Sequence, residues 1–229
     1  MKSKRYKKLP ENTKNLNSDK IENILSTIKT NCTTKFDESV DLSLRINNKQ
    51  KKNELSLRTV VNLPGGTGKS VKVAVVCEEN KIEEAKQANA DLFGGDEFID
   101  KIKNGELNFD KLICTPSMMI KLSKLGKVLG PKGLMPNPKL GTVTSDITKA
   151  VNEAKAGQAE IRNDKDGNIG LSIGKKSFEN EKLISNYNAV IDALEKEKSN
   201  LTIKGDLIKQ VFITSSMGVS YKLKLDKSF

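Results

Sequence analysis

The sequence predicts two domains. A two-layer α+β domain is built from both ends of the chain, residues 1–63 and 158–229, and an α/β domain, residues 64–157, is inserted into it. Three observations lead there. Both ends alternate apolar and polar residues, the mark of antiparallel strands with one buried face. The middle instead carries short unbroken apolar runs separated by helical stretches, the mark of parallel strands joined by crossovers. Finally, an end piece of about 60–70 residues has too little apolar surface for a core of its own, so the two ends must share one.

The first end opens on a polar stretch, residues 1–17, in which Lys2, Lys4, Arg5, Lys7 and Lys8 precede any acidic residue. It reads as a flexible basic arm suited to non-specific phosphate attraction. Ser18 is placed to cap a helix running to about Asn31, with Ile21, Ile24, Leu25 and Ile28 on one stripe. Val40, Leu42, Leu44 and Ile46 then alternate as a strand. The run NNKQKKNE is a solvated loop, and Leu55, Leu57, Thr59, Val61 and Leu63 form a second alternating strand. The two strands are expected to pair antiparallel beneath the helix.

In the middle, Val71 to Cys77 and Lys111 to Cys114 read as buried strands. Helices are expected over Lys81 to Asp91, Asp96 to Lys103, Ser117 to Leu125 and Ile147 to Ala156, the last capped by Ser145 or Asp146. Between the last two lies KLSKLGKVLGPKGLMPNPKLGTVTS, Lys121 to Ser145, with five lysines, four glycines, three prolines and no acidic residue. Pro131, Pro136 and Pro138 forbid a continuous helix or a central strand. By composition the stretch is either a solvated lysine-rich connector or an ordered functional loop. Its spaced apolar residues (Leu125, Val128, Leu129, Leu134, Met135, Leu140) favour a packed one.

In the second end, QAEIRN and NIGLSIG flank DKDG, a hairpin signal. A helix is expected from about Glu179 to Lys198, with Leu183, Ile184, Tyr187, Val190, Ile191 and Leu194 on its stripe. Strands over Gln210 to Ser215 and Val219 to Leu225 complete the chain. Chain crossings near Pro64 and Gly157 would link the domains, and such paired crossings can act as a hinge.

The formal charge of +11 points to a polyanionic partner, nucleic acid or an anionic membrane surface. Residues 1–63 hold +7 of it, against +2 for residues 64–157 and +2 for residues 158–229, so the charge gathers on the domain built by the termini. The chain has no histidine, which excludes Ser-His and Cys-His nucleophile systems and argues against zinc or iron sites. Cys32, Cys77 and Cys114 are far apart and form no CxxC pair; Cys77 and Cys114 each end an apolar run and read as buried thiols, in keeping with a reducing cytoplasm. No apolar run approaches the ~20 residues of a membrane span, and the N-terminal stretch shows neither a signal-peptide core nor a transit-peptide pattern.

PGGTGKS, Pro64 to Ser70, invites a nucleotide-binding reading. A phosphate-binding loop of that type needs glycine where Leu63 stands, and it should open a helix, whereas a strand is expected to follow. NDKDGN departs from a calcium loop in the place of its glycine and in lacking a closing glutamate. TSSMG, Thr214 to Gly218, offers hydroxyls from Thr214, Ser215 and Ser216 for phosphate and ribose, Met217 for packing and Gly218 for close approach. Taken alone its spacing fits a serine-rich turn around a core methionine better. Phe36, beside Lys35 in the Thr34 to Ser39 connection, could stack on a nucleotide or sit in the core. Arg162, Asn163, Lys165 and Lys222 are weaker candidates, each as consistent with solvation.

The wording GKVLGPKGLMPNPKLGTV, Gly126 to Val143, resembles the signature of the large-subunit ribosomal protein family L-one, the protein of the ribosome's mobile stalk, and the resemblance extends from about Lys35 to Gly218. It implies the same architecture, with a Rossmann-like inserted domain. It places TSSMG at the family's main RNA-contact strand and Phe36 at the RNA surface, so Lys35, Phe36, Ser39, Arg162, Lys165, Thr214, Ser215, Ser216, Met217 and Gly218 become the expected RNA-binding residues. Large-subunit rRNA, exit-site tRNA and the protein's own operon mRNA are the implied partners, and the free protein is expected to be a monomer without cofactor, metal or catalytic residues. Lys124, Lys127, Lys132 and Lys139 are the implied tRNA-facing loop. The chain departs from the family at Gly65, where LPHG has histidine, at Ser216, where threonine is usual, and at Val219, where proline is common. The alternatives are a nucleotide-dependent enzyme using PGGTGKS and a polyanion binder acting through charge alone.

Overall fold

The computed structural model describes residues 4–9, 20–47, 57–105, 107–201 and 206–224. In chain order the elements begin with α1 (Lys4–Lys8), α2 (Ile21–Asn31), β1 (Ser39–Ile46), β2 (Arg58–Asn62) and β3 (Val73–Val76). They continue with α3 (Ile82–Gln87), β4 (Leu92–Gly94), α4 (Asp96–Lys103), β5 (Lys111–Cys114), α5 (Pro116–Ser123), α6 (Gly126–Leu129) and α7 (Ile147–Lys155). Last come β6 (Gln158–Arg162), β7 (Asn168–Lys175), α8 (Asn180–Leu201), β8 (Ile208–Ser215) and β9 (Tyr221–Lys222). The fold is mixed, with an antiparallel sheet in one unit and a parallel sheet in the other. Residues 1–68 with 159–229 form one compact unit and residues 69–158 the other. The boundaries between the units fall at Gly68/Lys69 and Gln158/Ala159.

The first unit is a four-stranded sheet in the order β7-β1-β8-β9, antiparallel throughout. Val40, Leu42, Leu44 and Ile46 of β1 point to one face, where Ile24, Leu25 and Ile28 of α2 and Leu183, Val190, Ile191 and Leu194 of α8 cover them. The opposite face is open, and Ser43, Arg45, Asn168 and Gly170 are exposed on it. The amphipathic periods of 3.6 and 2 thus meet in one two-layer core.

Two strand pairings differ from the sequence expectation. β2 does not pair with β1; it pairs with β6 in a separate two-stranded sheet, held also by the Arg58–Glu160 ion pair at 2.7 Å. Alternation fixes which face of a strand is buried, not which strand lies beside it. For the same reason DKDG is a turn but not a hairpin between long partners. Asp164 Oδ1 accepts the Asp166 and Asn168 N–H groups at 3.0 and 2.6 Å, and Gly167 takes φ 80°. Beyond the single Asn163–Ile169 bridge, β6 joins β2 and β7 joins β1. Ser18, Leu55, the loop from residue 48 to 54 and the expected strand end at Leu225 lie outside the described residues.

Of the arm, residues 4–9 are described and differ from the expectation, while the rest lies outside the described residues. Lys4–Lys8 is a helical turn, Leu9 beyond it is buried, and Arg5 bonds to other parts of the unit.

The second unit is a three-stranded parallel sheet in the order β4-β3-β5. All four residues of β3 are buried. Ala74 and Val76 face a cluster with Phe98, Ile102, Met118, Leu122 and Leu129, while Val73 and Val75 face Ile113, Ile147, Val151 and Ala154. The expected helix over Lys81 to Asp91 is a 3₁₀ turn (Glu79–Lys81) followed by α3, which ends before Asn89 at φ 56°. β4, three half-buried residues, was not legible as a strand.

The lysine-rich stretch is less irregular than expected. It contains α6, which ends before Pro131, and a 3₁₀ turn at Pro138–Leu140. Its exit is tied to β5, with Cys114 N–H bonded to Thr142 O at 2.9 Å and Thr144 N–H to Cys114 O at 3.1 Å. At the start of α7 neither Ser145 nor Asp146 makes a side-chain cap; Thr144 Oγ1 accepts the Asp146 N–H instead, at 3.1 Å.

Candidate nucleic-acid interface

Glu38 organises the edge where β1 begins and β8 ends. A glutamate between Asp37 and Ser39 reads as solvated, yet Glu38 is 0% exposed. One carboxylate oxygen accepts the Thr34 hydroxyl at 2.7 Å and the other accepts Met217 N–H at 3.1 Å. Burial pushes its pKa up, but hydrogen bonds from Thr34, Ser215 and Met217 and the charge of Arg5 outweigh this and hold it below the usual carboxylate range. A buried carboxylate persists only where such donors surround it. Beside it, Ser39 N–H donates to Ser216 Oγ at 3.1 Å and Ser216 N–H donates to Ser39 O at 3.0 Å. Two segments 177 residues apart in sequence are thereby fixed as one edge.

This edge presents apolar groups to solvent. Phe36 is 54% and Met217 51% exposed, two of the three large hydrophobic side chains exposed among the described residues. Lys35 is exposed beside Phe36. Thr214 is half-buried, its hydroxyl directed to Ser215 O at 3.1 Å and Val219 O at 3.4 Å. Ser216 is exposed, while Ser39 is half-buried and contributes its backbone. Ser215 differs from the expectation: it is 4% exposed and its hydroxyl bonds Glu38, so it supports the edge from inside. Strand parity explains this, because Val211 and Ile213 place residue 215 on the core face. Gly218 also has a packing reason. A Cβ there would lie 2.2 Å from Ser215 Oγ, so any larger residue would displace the hydroxyl that bonds Glu38.

Arg162 and Lys165 are exposed and line a concavity of about 940 Å³ on the open sheet face with Ser43, Arg45, Gly170 and Phe212. Arg45 and Phe212 were not singled out by sequence reasoning. Their signal was parity: Ser43 pairs with both Gly170 and Phe212, and Phe212 pairs with Lys222, so these positions share the outward face. Asn163 is engaged structurally; its Oδ1 accepts Leu57 N–H at 2.6 Å and its Nδ2 donates to Asp164 O at 2.8 Å. Asp164 is the acidic member of this region, its carboxyl held low by the Asn168 side chain and turn N–H groups.

In the second unit Lys124, Lys127, Lys132 and Lys139 are all exposed, on α6 and the turns flanking it. None is in an ion pair among the described residues, whereas Lys121 pairs with Asp96 at 2.7 Å.

PGGTGKS is a pinned connection. Gly65 N–H donates to Asn186 Oδ1 at 2.8 Å, and Asn186 Nδ2 donates to Gly66 O at 3.0 Å and Ile173 O at 2.7 Å. Gly66 and Gly68 take φ 75° and 71°, and the next element is strand β3 rather than a helix. The Gly65 N–H is therefore committed to Asn186, and the loop lacks the helix N-terminus that phosphate cradling requires.

Comparison with known proteins places the chain in a family. The model of the ribosomal protein L1p/L10e family matches residues 28–219. The chain is 73% identical over 228 residues to the large ribosomal subunit protein uL1 of Pelagibacter ubique (strain HTCC1062), covering 100% of both chains. It is 45% identical over 223 residues to the uL1 protein of Mycoplasma capricolum, covering 97% of this chain and 98% of that one. It is 44% identical over 224 residues to the protein uL1c of Phaeodactylum tricornutum, covering 98% and 97%. With the family model spanning the edge made by Glu38, Ser39 and Ser216, and relatives matched end to end, the chain belongs to the ribosomal protein L1p/L10e family.

Proposed function

We propose that this protein is a structural constituent of the large ribosomal subunit in the cytoplasm, not an enzyme, and that the unit built from both chain ends binds large-subunit rRNA at the mobile stalk. The observation that carries the reading is the joint exposure of Phe36 and Met217 on one edge whose backbone is fixed by Glu38 and Ser216. Such an edge suits the sugar faces and shape of a folded RNA better than a sequence of base edges. Arg162, Lys165, Arg45 and Lys222 on the open sheet face add phosphate contacts. The lysines of the inserted unit (Lys124, Lys127, Lys132, Lys139) meet exit-site tRNA, and the same rRNA edge takes the protein's own operon mRNA and so represses translation. The free protein is a monomer, and the two crossings between the units serve as the hinge.

The experiment is binding of a stalk-rRNA transcript by the wild type and by the double variant Phe36→Ala/Met217→Ala. Both side chains are more than half exposed, so truncation should leave stability within about 0.5 kcal/mol. Affinity should fall about tenfold, because stacking on the Phe36 ring alone is worth roughly 1–3 kcal/mol. Unchanged affinity would place the RNA site elsewhere. Equal affinity of the wild type for unrelated RNAs would favour a binder acting through charge alone.

A further inference from the structure

On the basic N-terminal helix, Arg5 is directed at other segments of its unit. Arg5 Nη1 donates to Thr33 Oγ1 at 3.0 Å, and Arg5 Nη2 donates to Met217 O at 2.5 Å. Its charge also acts on buried Glu38. One guanidinium thus joins three segments: α1, the exit of α2 and the turn after β8, the last 212 residues away in sequence. Met217 is held on both sides of its backbone, its N–H by Glu38 and its carbonyl by Arg5. Leu9, one residue beyond α1, is buried. Lys4 and Lys8 on the same helix are exposed.

We propose that Arg5 is a positioning residue of the RNA site: it sets the shape of the Ser216–Met217–Gly218 turn instead of neutralising a phosphate. The inference rests on the RNA reading of this edge and names the group that fixes its geometry. A guanidinium suits the task because its planar fork presents two donors at once, to a hydroxyl and to a carbonyl. A lysine ammonium keeps the charge but not the fork. A positioning role and a phosphate-neutralising role therefore predict different things of Arg5→Lys and of the salt dependence.

The test uses the full chain as wild type, Arg5→Ala, Arg5→Lys and Lys4→Ala/Lys8→Ala. Each is titrated with a stalk-rRNA transcript and a scrambled transcript across salt, and amide hydrogen exchange at Met217 is followed without RNA. Both Arg5 variants should speed exchange at Met217. Both should bind the stalk transcript about tenfold more weakly, the scale of one hydrogen bond to a charged group. Their salt slope and their scrambled-RNA affinity should stay at the wild-type values. The double lysine variant supplies the contrast, since each phosphate left without its cation lowers the slope by about 0.7–0.9. Wild-type behaviour of Arg5→Lys, or a slope lowered by about one in Arg5→Ala with equal weakening on both RNAs, overturns the proposal. If the wild type fails to prefer the stalk transcript, the RNA reading falls. Exchange at Met217 then decides the clamp alone, acceleration supporting it and no change refuting it.

Discussion

The edge at residues 34–39 and 214–218 and the lysine segment at residues 121–145, the proposed rRNA and tRNA surfaces, are built in two different ways. On the edge, backbone groups and hydroxyls are bonded to protein. Glu38 holds Thr34 and Met217, Ser216 holds Ser39, and the surface left over is apolar at Phe36 and Met217. In the lysine segment, Lys124, Lys127, Lys132 and Lys139 are exposed and make no ion pair among the described residues. Fixed groups recognise a shape, whereas free cations recognise charge and lose affinity as salt rises. Where a region sits between these limits depends on how much of its chemistry is committed to the fold, not on how many cations it holds.

Removing the carboxylate should break this contrast most severely. Glu38→Ala leaves the Thr34 and Ser215 hydroxyls and Met217 N–H without their acceptor, at a cost of about 3 kcal/mol in urea unfolding, and RNA binding should fall with it. Gly218→Ala forces a Cβ against Ser215 Oγ and should cost about 1–3 kcal/mol by overpacking; a neutral outcome would mean the turn opens freely. The pH dependence sharpens the comparison further. Glu38 has a depressed pKa in the folded state, so its contribution is fully present above the unfolded value of about 4.3 and disappears as pH falls through the lower folded pKa. Chemical unfolding below about pH 4.3 should therefore show a steeper loss of stability in the wild type than in Glu38→Gln. The smallest effect on stability belongs to the lysines. Replacing Lys124, Lys127, Lys132 and Lys139 together by Gln should change stability by less than about 0.5 kcal/mol. It should still flatten the salt dependence of tRNA binding, leaving rRNA binding to the other unit unaltered.

The helices and the core were legible because burial imposes a period. The stripe of α2 and the alternation of β1 are visible in the letters, and both build the core they announce. Strand partners were not legible: β2 alternates in the same way whether it lies beside β1 or β6, and only the assembled fold chooses. β4 was hidden by its length, three residues being too few to show any period. In the candidate site, Phe36 and Met217 were named from resemblance, since an aromatic and a methionine near strands fit the core equally well. Ser215 could have been read as inward from the parity of Val211 and Ile213. Glu38 and Arg5 could not be read at all. The partner they share, Met217, lies 179 and 212 residues away along the chain, and nothing local marks a glutamate as buried or an arginine as a clasp.

The most direct measurement is the affinity of the wild-type chain for a stalk-rRNA transcript relative to a scrambled one, followed as salt is raised. A fixed, shape-reading edge predicts a preference of about a hundredfold or more that persists when the non-specific component has been screened away. A ratio near one, or a preference that vanishes with salt, would contradict it.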